Sequence, residues 1–231
     1  GDVYKRQGRN RMPDGKRREL RHFPADRRGT DLYGRSRAER TETNRTFYKK
    51  VMYTILEKRV LAENIYLMRI HAPRVARAAK PGQFIIVRID EFGERVPLTI
   101  SDYDAEQGSV TIVTQAIGAS TRKLCALEQG DALADFVGPL GHPSEFIHED
   151  LDTLRKKRFL FVAGGVGTAP VYPQVKWLHE HGVKADVIIG AKTKSMLIYT
   201  EEMARVADNL YIATDDGSEG FKGMVTALIK D

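Results

Sequence analysis

The sequence predicts two unlike halves, a six-stranded antiparallel β-barrel followed by an α/β domain on a parallel sheet. Three observations predict this. From Met52 to Val137 apolar residues recur at every second position in short segments broken by Asn, Pro and Gly, with little helix. Beyond a Gly- and Pro-dense segment around Pro139, continuous apolar runs alternate with helical patterns. The first of those runs passes straight into a glycine turn and then a helix.

With 231 residues the chain can form two modest domains. The expected division is a basic leader over 1–51, a barrel domain over 52–150 and an α/β domain over 151–231. The formal charge of +6 suggests nucleic acid until it is located. Residues 1–50 carry 16 Lys and Arg against 7 Asp and Glu, which leaves 21 against 24 for the rest. The basicity therefore belongs to the leader, which has too few large apolar residues to offset its ordering entropy and is expected to be disordered. Without aromatic interleaving or an amphipathic period it reads as sequence upstream of a native start at Met52 rather than as a nucleic-acid or membrane arm. No apolar run is long enough to span a bilayer, and no disulfide framework is possible with one cysteine, so a cytoplasmic location is expected. That cysteine, Cys125, reads as a buried small hydrophobe.

The strands follow in order. Y-T-I-L-E-K-R-V-L and N-I-Y-L-M-R-I alternate; the turn at Pro81–Gln83 launches Q-F-I-I-V-R-I. Then come R-V-P-L-T-I-S from Arg95 to Ser101, a turn, S-V-T-I-V-T-Q, a short helix over Ser120–Leu127 and a last strand ending near Val137. In the second half R-F-L-F-V-A is a buried strand, and Ala169–His181 a helix with prolines in its first turn and Gly182 at its end. A-D-V-I-I-G-A, a helix over Tyr199–Ala207 and N-L-Y-I-A-T complete the alternation, and the closing M-V-T-A-L-I-K-D reads as a helix stopped in mid-pattern.

Four stretches carry candidate chemistry. Along Arg95–Ser101 the side chains of Arg95, Pro97, Thr99 and Ser101 share one face, while Val96, Leu98 and Ile100 face the core. Arg95 could offer a fork of donors to a diphosphate, and Thr99 a hydroxyl to an isoalloxazine ring. Gly118-Ala-Ser120-Thr121 opens the short helix, where free N–H groups attract an anion; Ser120 as an ordinary N-cap is the alternative. Ala163-Gly164-Gly165-Val-Gly167-Thr-Ala169-Pro170 lies between strand and helix, the Rossmann-like context for a dinucleotide loop, although it is not G-x-G-x-x-G. Thr214–Gly223 follows the third parallel strand, and Gly190 ends the second on the same edge. There Asp215 or Asp216 accepts ribose hydroxyls or closes a solvated Asx turn, and Lys192 and Lys194 contact a 2′-phosphate or solvent. No histidine has metal-ligand spacing, and His179 and His181 are expected to be solvated.

These motifs in this order resemble the ferredoxin–NADP reductase superfamily, and most closely the electron-transfer subunits of dihydroorotate dehydrogenase and sulfide dehydrogenase and the small subunit of NADH-dependent ferredoxin–NADP oxidoreductase. The likeness runs from about Met52 to the last residue. It implies an FAD-binding barrel and an incomplete NAD(P)-binding domain in an enzyme that passes hydride and electrons between NAD(P)H and flavin. Arg95, Pro97, Leu98, Thr99 and Ile100 would bind FAD, with Thr99 the catalytic candidate near flavin N5. Gly118, Ser120 and Thr121 would hold its diphosphate. Gly164, Gly165, Gly167, Ala169, Pro170, Gly190, Asp215, Asp216 and Gly217 would hold NAD(P)H. The resemblance also implies a catalytic partner subunit, exchange with ferredoxin, a place in pyrimidine biosynthesis and a [2Fe–2S] cluster. The cluster's cysteines are missing from this chain, so it reads as truncated before the iron–sulfur segment. The alternative is an FAD-binding fragment or regulatory module without turnover.

Overall fold

A computed structural model describes residues 53–229, and two sheets organise them. The leader expected over 1–51 lies outside the described residues. The first sheet is antiparallel: β1 (Tyr53–Ala62), β2 (Ile65–His71), β3 (Phe84–Arg88), β4 (Val96–Asp104), β5 (Ser109–Gln115), β6 (Ala132–Leu133) and β7 (Asp135–Leu140), in the order β6-β1-β2-β5-β4-β3-β7. The sixth strand read from the sequence is thus divided at Ala134, whose N–H turns to the carbonyls of Arg88 and Ile89. Its two pieces pair with opposite edges, β6 with β1 and β7 with β3. One bent stretch of chain therefore joins both edges, and the sheet curls into a nearly closed barrel.

Period-two patterning fills the barrel. Ile55, Met68, Ile70, Ile85, Val87, Ile100, Val110 and Ile112 point inward around Phe136. A short helix absent from the sequence reading, α1 (Pro73–Ala78), adds Val75 and Ala76; Pro73 stands at its start, where the missing N–H has no intrahelical partner to lose. The expected helix after β5 is α2 (Ala119–Cys125), which buries Leu124 and Cys125.

The second sheet is parallel: β8 (Phe159–Gly164), β9 (Ala185–Ala191), β10 (Asn209–Thr214) and β11 (Phe221–Lys222), in the order β11-β10-β9-β8. α3 (Leu151–Leu154), α4 (Tyr172–Glu180) and α5 (Thr200–Ala204) pack Leu154, Val175, Leu178 and Met203 against Val187 and Ile189. α4 ends as its sequence predicts. Gly182 takes φ +68, its N–H reaches the His179 carbonyl, and Val183 N–H reaches that of Leu178, the paired bonds of a Schellman cap.

Three helices differ from expectation. The one read over Ala169–His181 begins only at Tyr172, behind the 3₁₀ turn. The one read over Tyr199–Ala207 is the five-residue α5, because Tyr199 adopts φ 60 and stands outside it as the N-cap. The closing segment is a 3₁₀ turn over Val225–Ile229 rather than an α-helix. A third apolar cluster joins the halves: Ile65, Leu67 and Val113 of the barrel meet Ala169, Ile198 and Tyr199. Among the described residues no helix is long and apolar enough to cross a membrane.

Candidate functional site

The C-terminal edge of the parallel sheet opens on a cavity of about 420 Å³. Its walls come from the ends of successive strands: Gly164 and Gly165 at β8, Gly190 and Lys192 at β9, Asp215 at β10. This is where open α/β sheets bind ligands. The glycine turn is a 3₁₀ segment, Gly165–Thr168. Gly165 holds φ +54, and a β-carbon built on it would meet nothing within 4 Å. Glycine here supplies a left-handed backbone and leaves clear space over the turn, a cradle that fits a dinucleotide's diphosphate.

Of the residues read for this site, Gly164, Gly165, Gly190 and Asp215 line the cavity, and Gly167, Ala169, Pro170, Asp216 and Gly217 do not. Gly167 also has open space where a β-carbon would sit. Ala169 is buried in the cluster between the halves, and the Pro170 carbonyl accepts Gln174 Nε2 at 3.1 Å. The two aspartates differ in their surroundings. Asp216 accepts from the hydroxyl and N–H of Ser218, bonds that hold its carboxyl below the usual carboxylate range, and Gly217 turns the chain at φ +78. Asp215 keeps its place on the cavity wall. Lys194 is ion-paired with Glu219 at 2.7 Å, while Lys192 lines the cavity. Gly190 answers a packing need: a β-carbon there would fall 2.2 Å from Val225 Cγ1, so glycine admits the closing turn over β9.

The second candidate lies on the outer face of the barrel. Register aligns two rows across β4, β3 and β7, Pro97 with Ile86 and Val137 and Thr99 with Phe84 and Leu140, and beyond them β3 and β7 pair Arg88 with Asp135. Arg95 reaches the same Asp135 at 3.6 Å and is 64% exposed, so among the described residues its guanidinium is held by one long contact. The face therefore grades from a charged end at Arg95 and Arg88 to an apolar strip toward Thr99. Such a surface fits a ligand with a phosphate at one end and an aromatic ring at the other. Leu98 and Ile100 point to the core, as their alternation requires. At Ser101 the alternation breaks: β4 slips against β5 between Ile100 and Asp102, and Ser101 is buried.

α2 reaches the segment that leads into β4. The Ser120 hydroxyl donates to the carboxylate of Glu94, the neighbour of Arg95. Thr121 Oγ1 accepts the N–H groups of Ile117 and Gly118, so it shapes the loop ahead of the helix. Cys125 is buried as expected, 3.9 Å from the Thr114 carbonyl oxygen, and burial pushes its thiol up. His179 is exposed as expected, whereas His181 is half-buried: its ring stacks on Trp177 at 3.9 Å, with Nδ1 2.7 Å from that residue's carbonyl oxygen. Among the described residues no group of three or more His, Cys, Asp or Glu could hold a metal.

Sequence reasoning missed Phe84, Ile86 and Val137 on the barrel face and Ile65 and Gln115 at the cavity. Alternation in β3 and β7 carried a signal for the first three; nothing local marks the other two, which reach the cavity through packing of the halves.

No protein-family model matches the chain. It is 61% identical over 180 residues to an uncharacterised protein of the adh 3′ region of Clostridium beijerinckii, covering 78% of this chain and 61% of that one. It is 42% identical over 172 residues to the dihydroorotate dehydrogenase B (NAD(+)) electron transfer subunit homolog of Thermotoga maritima, covering 74% and 58%. To the dihydroorotate dehydrogenase B (NAD(+)) electron transfer subunit of Geobacillus kaustophilus it is 35% identical over 182 residues, covering 77% and 68%. Among solved structures, the NADH-dependent reduced ferredoxin–NADP oxidoreductase superposes with a TM-score of 0.69 at 38% identity, over 78% of this chain and 62% of that one. The chain thus spans about three-fifths of the first two curated relatives.

Proposed function

The chain belongs to the family of dihydroorotate dehydrogenase B electron-transfer subunits, within the ferredoxin–NADP reductase superfamily, and from that premise we propose that it is a flavoprotein that moves electrons between NAD(P)H and FAD. One observation carries the reading: a furnished barrel face and an open glycine cradle stand in one compact unit, packed together through the cluster around Ile65 and Tyr199.

In this reading residues 52–150 hold flavin and 151–231 hold dinucleotide. Arg95 and the first-turn N–H groups of α2, with Gly118 and Ser120, take the FAD diphosphate, and Pro97 and Thr99 with Phe84 and Val137 support the ring system. Gly164, Gly165, Gly167 and Pro170 shape the turn for the second diphosphate, and Asp215 accepts ribose hydroxyls. FAD, when bound, accepts hydride from reduced nicotinamide and releases electrons singly. The protein's share is position, and the apolar cluster between the halves keeps water from the junction.

A single cysteine, buried against Thr114, does not fit a [2Fe–2S] cluster, so no step here passes through one. A complex with a catalytic partner subunit and exchange with ferredoxin belong to the proposal through the names of the relatives, and a cytoplasmic location and service to pyrimidine biosynthesis through the family resemblance. The test is a visible spectrum of the chain reconstituted with FAD, followed anaerobically as NADH and then NADPH is added. Bleaching of bound flavin is expected; flavin that binds and stays oxidised with both would reduce the chain to an FAD-binding module, and failure to bind FAD would refute the reading.

A further inference from the structure

We propose that the Asp102–Lys176 ion pair is a positioning clamp, setting strand β4 against the glycine turn; the inference rests on the electron-transfer reading above. Lys176 Nζ lies 2.8 Å from Asp102 Oδ1, which also accepts the Tyr103 N–H at 2.9 Å. Each partner stands on an element that adjoins one of the two candidate sites. Asp102 stands three residues beyond Thr99 on β4, and Lys176 sits on α4, which follows the turn Gly165–Thr168 after only three residues.

The bulge in β4 exists in a form that makes this contact. Val96, Leu98 and Ile100 point into the barrel, and unbroken alternation would bring the Asp102 carboxylate in behind them. Instead the pairing with β5 slips, from Ile100 opposite Ile112 to Asp102 opposite Thr111. Tyr103 packs on the core in its place, and Asp102 turns outward to α4. Bulges near functional sites re-aim side chains in this way. Tyr103, Pro173, Trp177 and Glu180 line the small crevice around the pair.

An apolar contact between the halves already exists, so the pair is not needed to hold them together. Ala169, Tyr172 and Tyr199 lie against the barrel cluster, but such contact is non-directional and tolerates sliding. A charged hydrogen bond has a direction and a length. Both side chains are about 30% exposed, where an ion pair contributes little stability, so its effect is on register. Register matters here because hydride transfer falls steeply with displacement of the reacting atoms.

The test uses the full chain reconstituted with FAD and its Lys176→Met, Asp102→Asn and Lys176→Arg variants. Flavin reduction by NADH or NADPH is followed by stopped flow, and amide hydrogen exchange is measured on the same proteins. In Lys176→Met the limiting rate should fall about ten- to a hundredfold, with FAD affinity and half-saturating dinucleotide nearly unchanged. Lys176→Arg should recover most of the rate, and exchange should quicken together in residues 97–103 and 165–171. An unchanged rate, or a loss matched by equal loss of FAD affinity, overturns the clamp. If the parent chain is not reduced by either dinucleotide, the functional reading fails by itself, and exchange then decides: protection unaltered in Lys176→Met overturns the clamp, and coupled loss in both segments upholds it.

Discussion

Gly165 and Arg95 are the residues whose replacement separates the two candidate sites. A methyl at Gly165 meets no atom, so Gly165→Ala is penalised for its backbone, φ +54, and for filling the cradle. It should lower stability by about 1–2 kcal/mol and weaken dinucleotide binding, with FAD affinity retained, as read by chemical denaturation and by titration. Arg95 has the opposite profile. Its guanidinium is mostly exposed, so Arg95→Ala should leave folding intact while FAD affinity drops by about tenfold or more, the loss of a charge-assisted hydrogen bond. Unchanged flavin content would remove Arg95 from the site. Cys125 offers a control: buried, with its thiol pushed up, it should resist alkylation in the folded protein and react once unfolded.

At the scale of elements, α4 is the piece on which both halves depend. It leads from the glycine turn, buries Val175 and Leu178 in the α/β core and presents Lys176 to β4. Gly182→Ala would force its Schellman cap into a strained conformation with no clash, since the nearest atom to a new β-carbon is 3.8 Å away. The expected loss is about 1–2 kcal/mol, similar to that of Gly165→Ala but without effect on dinucleotide binding. The comparison of these two variants distinguishes a glycine kept for a ligand from one kept for a helix end. Much of this level was legible in the sequence, because Pro173 in the first turn and Gly182 at the end are local signals, while Pro170, read into the same turn, lies ahead of the helix. Tyr199 was not: nothing local says that a tyrosine will take φ 60, and burial against Tyr172 and Ala169 is what holds it there.

For the whole molecule, the junction between barrel and α/β half makes a pH prediction. Burial raises Tyr103, Tyr172 and Tyr199 above the ordinary phenol value, and Lys176 also lies above its ordinary value: burial lowers it, but the Asp102 hydrogen bond and charge outweigh this. A group with a raised folded value contributes stability that is present below its unfolded value and fades as pH climbs toward the folded one. All four act in one direction, so stability should hold through neutral pH and decline above about pH 10. The share of tyrosinate absorbance that belongs to Tyr103, Tyr172 and Tyr199 should then appear together with unfolding, and a folded protein with every tyrosine ionised would contradict the burial of Tyr199. The sequence by itself determined the first five barrel strands, the three long parallel strands with the helices between them, the two inner faces and the glycine turn, because these follow from periodicity and local backbone preference. Tertiary structure alone decided that one bent strand closes the barrel, that Ile65 and Gln115 reach the cavity, that Gly190 serves Val225, and that a bulge turns Asp102 to Lys176. Those contacts join residues distant along the chain, and their geometry depends on register and packing that no local pattern encodes.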